Sequence, residues 1–207
     1  VERVQEVKEK IFEAAVSLFN VKGFAATSVR DIASRAGANI STISYYFNGK
    51  EGLLEYSFVS FFEPYLEIME RHISELEKKG ALRCLKDTIK ALMDFQHSHF
   101  YLSCFVWREV SIDRQIVREI MSTYLMKERH YLQEMIRFGI ERGEFPKISP
   151  GMMIIQLRGL MMMPFLNSIY TAEVWSVHFS DRFYFEKYKE ELCRWVDCFL
   201  MAEKMKI

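Results

Sequence analysis

The stretch from Thr27 to Leu54, TSVRDIASRAGANISTISYYFNGKEGLL, reads as two short helices joined by a tight glycine turn, with a third, longer helix starting at once. Ser28, with Asp31 three residues on, has the form of a capping box, in which each partner satisfies a free amide at the helix start. Val29, Ile32, Ala33 and Ala36 recur at helical spacing, so one face is apolar. Gly37 stops this helix, because glycine tolerates the left-handed backbone of a C-terminal cap. Asn39 is placed to cap the next one. A pair of short helices in this arrangement serves chiefly to put its second member into the major groove of DNA.

A helical wheel of Ile40 to Phe47 gathers Ile40, Ile43 and Phe47 on one side and Ser41, Thr42, Tyr45 and Tyr46 on the other. So short a helix is marginal in water, so its apolar side must dock on neighbours and leave the other side free. Hydroxyls reach phosphate oxygens or base edges, and tyrosine offers a rigid ring with a polar tip. Two outward tyrosines side by side fit a DNA surface better than a merely solvated one. Lys50 stands where the third helix begins, and free amides beside a lysine make an anion site suited to a phosphate. Between Lys22 and Lys50, four basic residues (Lys22, Arg30, Arg35, Lys50) face Asp31 alone, whereas the whole chain balances 28 basic against 28 acidic residues. The basic character is therefore local, as suits a specific binder. The candidate DNA-binding residues are Ser28, Arg30, Asn39, Ser41, Thr42, Tyr45, Tyr46 and Lys50.

The runs IFEAAVSLFNVKGFAATSVRDIASRAG and ISYYFNGKEGLL, within Ile11 to Leu54, resemble the DNA-binding domain of the TetR family of bacterial regulators. The matching residues spread over four helices at fixed spacing. Members of that family usually carry Lys, Arg or Gly early in the reading helix. Ile40 and Ser41 hold those places here, so no obvious guanine-reading side chain is present. Further along, FVWREVSIDRQIVREIMSTYLMKE (Phe105 to Glu128) and LRGLMMMP (Leu157 to Pro164) resemble the body of a TetR-like regulator of the tubulin-like division ring in spore-forming bacteria. That second resemblance implies a role in cell division and chromosome position, with the division-ring protein as a partner.

The chain has 207 residues, half of them hydrophobic and 14% aromatic, enough for a packed core. With 4 prolines and 9 glycines, little breaks its helices. No apolar run reaches the length of a membrane span and no signal peptide is visible, so the expected location is cytoplasmic and nucleoid-associated, without a membrane partner. Val1 is not a methionine, which leaves the native start open. Cys84, Cys104, Cys193 and Cys198 form no CxxC pair and read as reduced thiols in a core.

The expected fold is all-α: a three-helix helix-turn-helix head over residues 1–50 and a helical bundle body of about nine helices over 51–207, paired as a two-fold dimer. The first helix carries Val4, Val7, Ile11, Ala14, Ala15, Leu18 and Phe19 on one face. A fourth helix is expected from about Glu51 to Lys79, with a kink at Pro64. Helices over Leu82 to His99 and Leu102 to Val110 follow. Then comes a long one to about Arg142, capped by Ser111 and Asp113. Gly151 to Met163 is apolar nearly all round, Pro164 should stop it, and Leu166 to Ser180 reads as irregular or only partly helical. The last helix, about Asp181 to Met205, shows a wide stripe of Phe185, Tyr188, Leu192, Trp195, Val196 and Phe199.

Two reading heads must reach successive major grooves, roughly 34–36 Å apart, so helix-turn-helix proteins usually dimerise. The helices near 151–163 and 181–205 are assigned to a homodimer interface, a four-helix bundle across a two-fold axis. The methionines at 152, 153, 161, 162 and 163 read as adaptable packing before they read as a pocket. A small-molecule effector site near Met161, Trp107 and Tyr124 is the competing use, and would make the protein an ordinary effector-released repressor. Arg108, Glu109, Arg118, Glu119 and Arg158 lie in or beside apolar runs, where charges need partners or form a patch for a protein partner.

An enzyme is the opposing class. The chain has no phosphate-binding glycine loop, no HExxH and no nucleophile motif, so no catalytic residue, metal site or cofactor is expected. His97 and His99 are two apart and point in different directions on a helix, while His72, His130 and His178 stand alone.

Overall fold

The computed structural model describes residues 2–112 and 114–204, with side chains from 4 to 200 except 113. Among them there is no strand. The helices are α1 (Glu2–Lys22), α2 (Val29–Ala36), α3 (Ile40–Phe47), α4 (Lys50–Ile73), α5 (Leu76–Lys79), α6 (Ala81–Ser98), α7 (Phe100–Val110), α8 (Gln115–Ile120), α9 (Met126–Glu141), α10 (Pro150–Leu166), α11 (Ser168–Trp175) and α12 (Arg182–Lys204). A π-helical turn, Met121–Leu125, joins α8 to α9.

The described residues form two compact units, one of 2–62 with 101–112, the other of 63–100 with 114–204. The first therefore extends past residue 50. Its core takes Ile11, Ala15 and Phe19 from α1, Ile32 from α2, Ile43 and Phe47 from α3, and Leu53, Phe58, Phe61 and Phe62 from α4. Trp107 of α7 packs edge-on against Phe61 and Phe62, and the Phe105 ring stacks on Phe19 at 4.9 Å. Helix α7 also finishes the end of α1. The Asn20 amide donates to Tyr101 O at 2.7 Å and the Arg108 guanidinium to Phe19 O at 2.9 Å. A cation is well placed at a helix C-terminus, where carbonyls lack intrahelical partners. Val4, assigned by the sequence to the apolar face of α1, is instead half exposed.

In the second unit α6 packs on α9 and α12, and α10 on α9, α11 and α12. Gly139 is required there, since a Cβ would lie 2.3 Å from the Phe145 ring and 2.8 Å from the Ala81 Cβ. Several helix ends differ from the sequence reading. The expected 51–79 helix stops at Ile73, and Leu76–Lys79 forms a separate turn of helix. Of the two proposed caps of the long helix, Asp113 lies outside the described residues. Regular helix starts only at Gln115, and the π-helical turn interrupts it. Within 166–180, expected to be irregular or only partly helical, residues 168–175 are helical. Met205, the expected end of the last helix, lies outside the described residues.

Pro164 does not stop α10, which continues to Leu166. A proline deletes one helical bond, here the one to the Leu160 carbonyl. The Tyr188 hydroxyl of α12 donates to that carbonyl at 2.7 Å and replaces the missing amide.

The two apolar helices assigned to the dimer behave differently. On α10, Met153, Ile154, Leu157, Met161 and Phe165 are buried, while Met152 and Ile155 are 62% and 66% exposed. On α12 most of the stripe turns inward: Phe185, Leu192, Cys193, Val196 and Leu200 are buried, with Trp195 and Phe199 stacked and half-buried. Its outward face carries Lys187, Glu190, Glu191 and Arg194 instead.

Among the described residues no single helix is long and apolar enough to cross a membrane; α10 and α11 together have the length and composition but are bent by 71°. Cys84, Cys104 and Cys193 are buried, and burial pushes the Cys84 thiol up to about 11. Cys198, expected in the core, is exposed.

Candidate nucleic-acid interface

The start of α2 is built as its sequence demands. The Asp31 amide donates to Ser28 Oγ at 3.1 Å, and the Ser28 amide returns a bond to Asp31 Oδ2 at 2.9 Å. The Ser28 hydroxyl, the Ser28 amide and the nearby Lys22 hold the Asp31 carboxyl down to about 2. Gly37 ends α2 at φ 63°, in the left-handed region. The next turn, at Asn48 and Gly49, has φ 56° and 93° and sends the chain straight from α3 into α4. Gly52 makes that junction fit: a Cβ there would lie 1.5 Å from the Phe47 carbonyl oxygen. The sequence reading gave Gly52 no role, since nothing in the local pattern shows the end of α3 lying against the first turn of α4.

Helix α3 docks through Ile43 and Phe47, which are 0% and 5% exposed. Ile40 was expected beside them but is 46% exposed. On the wheel it lies within about 20° of Phe47, so its exposure reflects position along the axis. It sits in the first turn, ahead of the packed part of the helix. Asn39 holds the N-cap position but its side chain makes no capping bond. On the opposite face Ser41 is exposed, Thr42 and Tyr46 are half-buried, and Tyr45 is 82% exposed. The two tyrosine rings meet edge to face at 5.0 Å, which stiffens them as a pair. Arg30 is exposed on α2.

The Lys50 ammonium has a structural task. It donates to Phe24 O at 3.1 Å and Ala25 O at 3.4 Å, and stands 4.5 Å from the Phe24 ring centroid. It thus pins the turn between α1 and α2. An ammonium has three N–H donors, so one remains beyond these two carbonyls. A second lysine, Lys8 of α1, lies 4.3 Å from the Tyr56 ring centroid.

The residues proposed as an effector or partner surface fall in different settings. In the first unit Trp107 and Glu109 are buried and Arg108 is spent on α1. In the second, Arg118 and Glu119 are exposed, Tyr124 is half-buried and Met161 is buried. Arg158 forms an ion pair at 2.9 Å with Glu128, whose other oxygen accepts the Tyr65 hydroxyl at 2.9 Å. Burial pushes the Glu128 carboxyl up, while the Arg158 charge and the Tyr65 hydroxyl pull it back. Helices α4, α9 and α10 meet at this buried group, which the sequence showed only as a charge in an apolar run. Among the described residues no cluster of His, Cys, Asp and Glu could hold a metal ion.

A helix-turn-helix head with a helical body defines a DNA-binding transcription regulator. The chain belongs to the TetR family. Residues 11–56 match the family of bacterial regulatory proteins, tetR family. Over 189 residues, covering 91% of each chain, the sequence is 41% identical to the "Probable HTH-type transcriptional regulator YttP" of Bacillus subtilis (strain 168). Among solved structures, a TetR family transcriptional regulator, PfmR, from Thermus thermophilus shares the fold (TM-score 0.71, 18% identity, 93% of this chain and 95% of that one). So does a bacterial regulatory protein of the tetR family from Rhodococcus RHA1 (TM-score 0.73, 18% identity, 92% and 96%). Regulators of this family bind double-stranded DNA and act as dimers.

Proposed function

We propose that this chain works as a homodimer in which the outward face of α3 enters the major groove of a specific DNA site. The observation that carries the reading is Tyr45, 82% exposed beside Tyr46 on a helix anchored by Ile43 and Phe47. Ser41, Thr42, Tyr45 and Tyr46 meet base edges, while Arg30, Asn39 and the remaining Lys50 donor hold the phosphate backbone; Ser28, whose amide and hydroxyl both donate to Asp31, fixes the start of α2. Ile40 leads the helix and offers an apolar contact of the kind that suits a thymine methyl. The site should therefore place an A·T pair opposite Ile40, and no guanine contact is needed there.

The body carries the output. The resemblance of residues 105–128 and 157–164 to a division-ring regulator supports a protein placed at chromosomal sites that acts on the division machinery. Exposed Arg118 and Glu119 on α8 are the partner contacts in this reading.

Selection of bound fragments from genomic DNA tests the head. The expected result is a near-palindromic site with half-sites about one helical turn apart. Binding without sequence preference would contradict it. For the body, the purified tubulin-like division protein should bind the full chain and lose binding on Arg118→Glu. Absence of binding, together with a small ligand that releases DNA, would replace this output with effector-controlled repression.

A further inference from the structure

The outward face of α10 reads Met152, Ile155, Gln156, Gly159, Met163 and Leu166, one stripe at helical spacing with no charge on it. Gly159 lies mid-helix at its centre. Glycine inside a helix costs about 1 kcal/mol relative to alanine, so it needs a reason. Gly139 has one within the chain: a side chain there would strike Phe145 and Ala81. Gly159 has none, since an added Cβ would meet nothing within 4 Å. Gly151 is equally open but lies at the helix start, where glycine is cheap. The reason for Gly159 lies outside its own chain.

We infer that Gly159 is the crossing point of α10 with the α10 of a second copy, on the two-fold axis. This rests on the dimer reading above and deepens it. A position on a two-fold axis meets its own counterpart, so the residue there must be small enough for two backbones to approach. Ile155 and Met163 flank it as side chains that seat beside the opposite helix. Met152, Ile155 and Leu166 of α10, with Ile169, Tyr170, Val174 and Trp175 of α11 and Phe183 of α12, are all at least 40% exposed. A standard interface takes roughly 800 Å² from each partner, and these exposed apolar side chains are available to supply it. The charged outer face of α12 leaves α10 as the close-contact helix.

The test places one cysteine at a time on α10 in the full chain carrying Cys198→Ser, which removes the exposed native thiol. Under mild oxidation Gly159→Cys should cross-link to its own counterpart in most molecules, because Cα atoms on the axis fall within the roughly 7 Å that a disulfide spans. Gln156→Cys and Met152→Cys should cross-link progressively less. Gly159→Leu should weaken self-association at least 100-fold by sedimentation. A dimer in which the thiol introduced by Gly159→Cys stays reduced, or in which Gly159→Leu associates like the parent, overturns the crossing and leaves the dimer standing. A parent chain that sediments as a monomer at micromolar concentration overturns both. Gly159→Leu that remains folded by circular dichroism but is monomeric supports the crossing directly.

Discussion

At the scale of single residues, the head depends on groups whose roles are steric or electrostatic and not visible as motif letters. Gly52→Ala puts a methyl group 1.5 Å from a backbone oxygen that cannot swing away. Strain that forces backbone to shift typically costs about 1–3 kcal/mol, occasionally more. Chemical denaturation should show that loss, and DNA binding should fall with it. Asp31 gives a pH signature. Its folded value of about 2 lies below the ordinary 3.8, so its contribution is present above that ordinary value and disappears as pH falls through about 2. Thermal unfolding of the parent and Asp31→Asn should therefore differ at pH 5 and converge near pH 2. The sequence made Ser28, Asp31 and Gly37 legible because a capping box and a helix stop are local devices. It gave no sign of Gly52, whose constraint comes from residues meeting across a turn. Lys50 was legible as a lysine at a helix start, but not as the clamp on Phe24 and Ala25, which depends on where the α1–α2 turn ends up.

At the scale of elements, periodicity found the helices and misplaced their ends. Long-range bonds account for the differences. Pro164 reads as a stop from sequence, yet α10 passes it because Tyr188, far along the chain, supplies the Leu160 carbonyl with a donor. Tyr188→Phe should cost about 1 kcal/mol, the usual net worth of such a bond. In a Pro164→Ala background the helix regains its own amide, and the same change should cost much less. A double-mutant cycle by urea unfolding measures the difference directly. The π-helical turn at 121–125 was likewise not read from the apolar spacing. The stripe on α12 was seen correctly as apolar but assigned to a partner, whereas α6 and α10 of the same chain cover most of it. Periodicity gives the direction of a face and not the identity of what covers it.

At the scale of the molecule, the helix-turn-helix head was legible from twenty-eight consecutive residues, because its geometry is short-range. The composition of the compact units was not. The return of α7 to the first unit, 81 residues after Asn20 by the bond to Tyr101, has no sequence signal. The body's buried Tyr65–Glu128–Arg158 group joins three helices that no spacing rule connects.

The claim on which the account turns is that the outward side of α3 reads DNA. The most direct measurement is the affinity of Tyr45→Ala for a site selected by the parent protein, with stability and self-association followed in the same samples. Tyr45 is 82% exposed, so thermal stability and dimerisation should stay unchanged. Specific binding should weaken about 10- to 100-fold, as loss of one base-reading contact implies. A Tyr45→Ala protein that binds the selected site as tightly and as selectively as the parent would contradict the account.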